Sequence, residues 1–98
     1  MAIKRKNVYL VQINSVYGNE VYFPYAAGVL AAYALEDETV RENYIFNKIV
    51  YVREEAEAAV ENMEEPFLVG FSTYIWNFEY SKFIACELKN RFPECLIV

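Results

Sequence analysis

The chain has 98 residues, room for one small domain with a single core and not for two. It is 56% hydrophobic in a count that includes nine tyrosines, carries a net charge of −5 and contains no histidine. This balance argues against a nucleic-acid surface, which needs a basic face, and it excludes nucleophile–histidine catalysis and histidine-ligated metal within the chain.

The only basic cluster, Lys4-Arg5-Lys6, reads as a solvated terminus rather than a binding patch. Asn7 to Ile13 (N-V-Y-L-V-Q-I) follows, mostly β-branched and aromatic, which predicts a central strand covered on both faces. It leaves through Asn14 to Glu20, a run of turn residues in which Gly18 is free to take a positive φ. Pro24 then stands at or near the first position of a helix, where its missing N–H costs nothing. That helix, Tyr25 to Leu35 (Y-A-A-G-V-L-A-A-Y-A-L), has no charge on any face, the pattern of a helix buried on all sides. A domain this small cannot bury it so fully, so part of its surface is expected to meet a partner outside the chain. The longest apolar run, Val21 to Leu35, is too short to span a bilayer and contains Pro24. No secretory signal is present. These features predict a soluble, cytoplasmic protein with no membrane partner.

Glu36 to Asn43 reads as a polar break, and Tyr44 to Val50 as a second strand, less uniformly apolar and so nearer an edge. Arg53 to Glu65 predicts an amphipathic helix, with Ala56, Ala59, Val60 and Met63 on one face and six glutamates on a solvated one. Pro66 ends it, and Phe67 to Ser72 is the third strand. Asn77 is expected to cap the next helix, with Glu79 in its first turn favoured by the helix dipole. This helix continues to Phe92, with Phe78, Phe83, Ile84, Leu88 and Phe92 as its main apolar residues. Pro93-Glu94 forms a turn, and Cys95 to Val98 starts a fourth strand. A strand broken off at that point reads as the edge of an N-terminal fragment of a longer protein. Cys86 and Cys95 fall in different elements without metal-ligand spacing, and are read as reduced, partly buried thiols.

Strands alternating with helices over short connections predict an α/β fold: a three-layer α/β/α, flavodoxin-like (Rossmann-like) parallel sheet of order 2-1-3-4. In that order the first and third strands lie side by side at the switch point, where such sheets hold ligands beyond their carboxyl ends. The crevice there is lined by the segments after strand 1, which holds Asn14, Ser15 and Tyr17, and after strand 3, which holds Ser72, Thr73, Tyr74, Trp76 and Asn77.

Several ligands fail on what these segments lack. A dinucleotide site needs G-x-G-x-x-G after strand 1, where only Gly18 occurs, and no P-loop is present. A phosphoacceptor receiver needs carboxylates at the ends of strands 1 and 3, which here offer Gln12, Asn14, Ser72 and Thr73. Flavin mononucleotide (FMN) stays as an alternative through Tyr17-Gly18-Asn19, although those three residues read more readily as an ordinary turn.

Two segments together carry a family resemblance. Phe23-Pro24-Tyr25-Ala26-Ala27-Gly28-Val29-Leu30-Ala31-Ala32-Tyr33-Ala34 and Val69-Gly70-Phe71-Ser72-Thr73-Tyr74-Ile75-Trp76-Asn77 resemble the N-terminal cobalamin-binding domain of cobalamin-dependent radical S-adenosylmethionine (SAM) enzymes. The turn of Lys89 to Pro93 and the strand from Cys95 fit the same pattern, and the similarity covers nearly the whole chain. In the wider cobalamin-binding fold a Ser-x-Leu at the end of strand 3 contacts the nucleotide tail. Ser72 matches the serine, and Tyr74 stands in the leucine's place. The fold's Asp-x-His-x-x-Gly loop has no counterpart in Asn14 to Asn19, so the resemblance implies cobalamin held without an imidazole from this chain.

The resemblance implies that Asn14, Ser15, Tyr17, Ser72, Thr73, Tyr74, Trp76 and Asn77 line the cofactor site, with Ser72 and Thr73 on the nucleotide tail. Tyr74, Trp76 and Tyr17 would lie against the corrin, and Trp76 is read equally well as packing against another domain. No residue is assigned a catalytic or metal-ligating role. The resemblance also implies that the 4Fe-4S iron-sulfur cluster and SAM belong to a C-terminal radical SAM domain outside these 98 residues. That domain is the expected partner. Two other readings stay open: an interaction domain that keeps the fold, binds no cofactor and docks through its apolar first helix, and an FMN-binding domain. The uncovered helix and half-strand edge also leave room for a homodimer of the fragment.

Overall fold

A computed structural model of the chain describes residues 4–13, 16–17, 20–21, 24–52, 54–74 and 77–98. Strand β1, Lys6–Val11, is followed by a short antiparallel hairpin, β2 (Val16–Tyr17) and β3 (Glu20–Val21), paired Val16 to Val21 and Tyr17 to Glu20. Helix α1 spans Tyr25–Ala34 and helix α2 Glu38–Asn43. Strand β4 (Tyr44–Phe46), helix α3 (Ala56–Glu61), strand β5 (Pro66–Phe71), helix α4 (Phe78–Arg91) and strand β6 (Leu96–Ile97) complete the order.

The main sheet runs β4-β1-β5-β6 with every pair parallel. In terms of the four strands expected from sequence this is 2-1-3-4, the flavodoxin-like layout. Alternation along β1 sorts the core into two faces. Tyr9, Val11 and Ile13 join Val69, Ala59, Val60, Met63, Ile84, Leu88 and Cys95 beneath α3 and α4. On the other face Val8 and Leu10 meet Ala27 of α1, with Ala31 and Leu68 packed alongside. The α1 layer is thin because small residues bring that helix onto the sheet. A Cβ added at Gly70 of β5 would come within 3.1 Å of the Leu10 side chain.

Several boundaries depart from expectation, each for a local reason. The polar break contains α2, which is started by Asp37, whose carboxylate accepts from the backbone N–H of Val40 at 3.1 Å. Arg41 of α2 donates to the carbonyls of Leu35 (2.7 Å) and Glu36 (3.0 Å), satisfying acceptors at the end of α1. The second strand stops at Phe46, and Val50 rejoins the sheet as an isolated parallel bridge to Val11. Helix α3 is shorter than the expected Arg53 to Glu65. At its start the Tyr80 hydroxyl engages both the N–H and the carbonyl of Glu54. At its end Asn7 donates to the Glu64 carbonyl at 2.7 Å, Tyr9 accepts from the Glu64 N–H at 2.9 Å, and Glu65 takes φ 37° before Pro66.

Two helix surfaces also differ. In α1 only Ala27 is fully buried, while Tyr25, Val29, Leu30 and Tyr33 are exposed. In α4 the buried stripe is Ser81, Ile84 and Leu88, below Asn77, and Phe78 and Phe83 point to solvent. Spacing of three and four residues from Asn77 selects that stripe, and Phe83 lies off it. Both cysteines are free thiols, Cys86 exposed and Cys95 buried. No helix among the described residues is long and apolar enough to cross a membrane.

Candidate functional site

The carboxyl ends of β1 and β5 lie side by side, with Val11 paired to Phe71 and the Ser72 N–H donating to the Val11 carbonyl at 2.9 Å. Beyond them the chain leaves β1 toward the β2–β3 hairpin and leaves β5 toward the start of α4. This open edge is the switch point of the sheet.

Asn77 is the structural centre of that edge. It occupies the N-cap position of α4, but its side chain makes no capping bond, contrary to expectation. Instead the amide is fully buried. Its Nδ2 donates to the carbonyls of Ile13 at 2.8 Å and Ser72 at 3.0 Å, and its Oδ1 accepts from the Tyr74 N–H at 2.7 Å. The Asn77 N–H returns a bond to the Tyr74 carbonyl at 3.2 Å, closing the turn. Three backbone groups just beyond the ends of β1 and β5 are satisfied in this way.

Of the residues expected at the site, the structure brings Ser72, Thr73, Tyr74 and Asn77 together at the end of β5. Ser72 is half-buried, Thr73 and Tyr74 are exposed, and Asn77 is turned inward. Tyr17 is described in its backbone, within β2. Asn14, Ser15 and Trp76 lie outside the described residues. A second buried amide, which the sequence reading did not assign to the site, belongs to Gln12. Its Oε1 accepts from the Ala27 N–H in the first turn of α1 at 2.8 Å, and its own N–H bonds the Val50 carbonyl at 2.9 Å. An amide in the apolar second half of the expected first strand was the available signal.

The arrangement is neutral and rich in hydroxyls. Ser72 and Thr73 can donate and accept, Tyr74 adds an aromatic face, and the first turn of α4 lies adjacent. Such a donor set fits a polar, nucleotide-like tail with an apolar body beside it. Among the described residues it offers no side chain suited to ligate cobalt. Cavities of about 530 and 590 Å3 occur elsewhere, one between residues 47–52 and α3, the other at the amino edge of the sheet beside Lys4, Arg5 and Arg91. Neither is bordered by Ser72, Thr73, Tyr74 or Asn77.

No protein-family model matches the chain. Two curated proteins do. The cobalamin-dependent radical SAM methyltransferase TokK of Streptomyces tokunonensis is 30% identical over 98 residues, 100% of this chain and 14% of that protein. The 2-(S-pantetheinyl)-carbapenam-3-carboxylate methyltransferase of Streptantibioticus cattleyicolor is 29% identical over 93 residues, 95% of this chain and 13% of that protein. The chain thus matches, over its whole length, 14% of a cobalamin-dependent radical SAM methyltransferase, the family whose resemblance residues 23–34 and 69–77 carry.

Proposed function

We propose that the chain is the cobalamin-binding module of a radical SAM methyltransferase, with the cofactor's nucleotide tail held at the β1/β5 switch point. The observation that carries this reading is the placement of Ser72 and Thr73 on the open edge beyond β5, next to the start of α4. Ser72 and Thr73 hydrogen-bond the tail, while Tyr74, with Tyr17 and Trp76, lies against the corrin. Asn14 and Ser15 complete the wall that follows β1. Cobalamin supplies methyl-transfer chemistry when bound; this chain's residues bind and orient it and do not react.

An open edge can enclose only one side of so large a cofactor. The other side, the 4Fe-4S cluster and the SAM site are assigned to a C-terminal radical SAM domain of the same polypeptide. The methyltransferase relatives, of which this chain spans 14% and 13%, support that division.

The test is to mix the protein with hydroxocobalamin, remove free ligand and record the visible spectrum, with FMN as a parallel trial. Retained corrin bands are expected, together with their loss in Ser72→Trp while the far-ultraviolet circular dichroism is unchanged. Retention by Ser72→Trp equal to that of the parent removes the switch-point site. A second reading, an interaction module without cofactor, is favoured by the exposed apolar surface of α1. A chain that stays colourless in both trials but binds a separately expressed radical SAM domain supports that reading instead.

A further inference from the structure

We infer that Asn77 is the positioning residue of the crevice, setting the geometry of both of its walls through one side chain. The inference rests on the switch-point reading above and concerns a residue that touches backbone and not ligand. One wall begins at Ile13, just beyond β1, and the other holds Ser72, Thr73 and Tyr74 beyond β5 and closes at Asn77. The Asn77 amide reaches both, donating to Ile13 and Ser72 and accepting from Tyr74. Since it is fully buried, no water replaces these bonds when they are lost. The two donated bonds tie carbonyls 59 residues apart in sequence, which fixes the separation of the walls. The accepted bond fixes the Tyr74 backbone, and with it the direction in which the Thr73 and Tyr74 side chains leave the edge.

The far end of the β1 wall is held by the other amide. Gln12 accepts from Ala27, so the segment between β1 and α1 has both anchor points set by side chains, Asn77 near Ile13 and Gln12 at α1. Asn77 serves the two walls together. An asparagine is required for this, because the site needs two donated bonds and one accepted bond from a single short side chain. Aspartate keeps the acceptor and the shape but turns the donor toward two carbonyls into a second acceptor.

The experiment compares Asn77→Ala and Asn77→Asp with Val60→Ala, a cavity variant in the remote α3 core. Amide hydrogen exchange and hydroxocobalamin retention are measured in each. In Asn77→Ala, exchange at the Tyr74 N–H should rise about tenfold relative to that at Val69, and retention should fall about tenfold. Asn77→Asp should keep Tyr74 protected yet lose retention to a similar degree, because only the donated bonds are gone. Val60→Ala should lose stability but keep both readouts. Parental exchange at Tyr74 in Asn77→Ala overturns the inference, as does equal loss of retention in Val60→Ala. If the parent chain retains no hydroxocobalamin, the cobalamin reading fails, and the Tyr74 exchange decides the Asn77 inference alone. Should Asn77→Ala not fold, parental retention in Asn77→Asp overturns the inference.

Discussion

Gln12 and Ala27 are joined by a 2.8 Å hydrogen bond from the Ala27 N–H to the Gln12 side-chain oxygen, which caps α1 from 15 residues upstream. The local cap position is held by Pro24, which has no side-chain oxygen to offer. One free N–H of the first turn is therefore satisfied by a strand residue. Because Gln12 is buried, its replacement by leucine leaves the Ala27 N–H without a partner. Gln12→Leu is expected to cost about 1–3 kcal/mol, measured as a shift in urea midpoint at constant slope. Faster exchange at the Ala27 amide, with no change at Ile84 in α4, would locate the loss at α1. Equal acceleration at both sites contradicts a local cap.

Tyr9 makes a comparable link on the opposite face of β1, accepting from the Glu64 N–H at 2.9 Å just beyond α3. Its ring belongs to the main core. Tyr9→Phe preserves that packing and removes only the acceptor, so a loss of about 1–2 kcal/mol is expected. Phenylalanine at no cost in chemical denaturation would mean that Glu64 finds another partner when the hydroxyl is gone.

The four parallel strands and their order were legible in the sequence because each strand is an apolar run and each connection holds a turn or helix pattern. Tyr9 and Val11 facing one way, and Val8 and Leu10 the other, follow from simple alternation. Helix α2 was missed because six polar-rich residues carry no useful period, although Asp37 followed by Glu38 holds a helix-start signal. Long-range hydrogen bonds were not legible. Nothing near Glu64 in sequence announces that Asn7 and Tyr9 will end α3, and nothing near Ile13 announces Asn77. The site followed the same division. The position of Ser72, Thr73 and Tyr74 just after a strand was legible, whereas the inward turn of Asn77 depends on a partner 64 residues away.

The outer face of α1 separates stability from interaction. Leu30 and Tyr33 are 57% and 76% exposed, whereas Ala27 is 5% exposed against Val8 and Leu10. Leu30→Lys and Tyr33→Lys are each expected to change stability by no more than about 0.5 kcal/mol. Ala27→Leu should cost about 1–3 kcal/mol by overpacking the thin layer. Sedimentation velocity checks the same lysine variants for self-association, which added charge on that face should reduce. A large destabilisation by either lysine would show that the face is covered within the chain.

Cys95 offers a test by pH. Burial pushes its thiol above the ordinary value, and the nearby Lys89 charge and a backbone hydrogen bond involving Val69 oppose that rise only in part. Lys89 also donates to the Cys95 carbonyl at 2.6 Å, tying the end of α4 to the start of β6. A raised pKa means that the folded chain keeps its proton at a pH where the unfolded chain has begun to lose it. The folded state then binds more protons, and stability falls as pH increases. The contribution is fully present below the unfolded thiol value, about pH 8.5, and is lost as pH climbs through the folded value. Urea midpoints between about pH 7 and pH 10 should therefore decline more steeply for the parent than for Cys95→Ala. Cys86, exposed in the fold, remains in both proteins and largely cancels in the difference. Parallel pH profiles for the two proteins would show that the Cys95 thiol ionises in the fold as readily as in the unfolded chain.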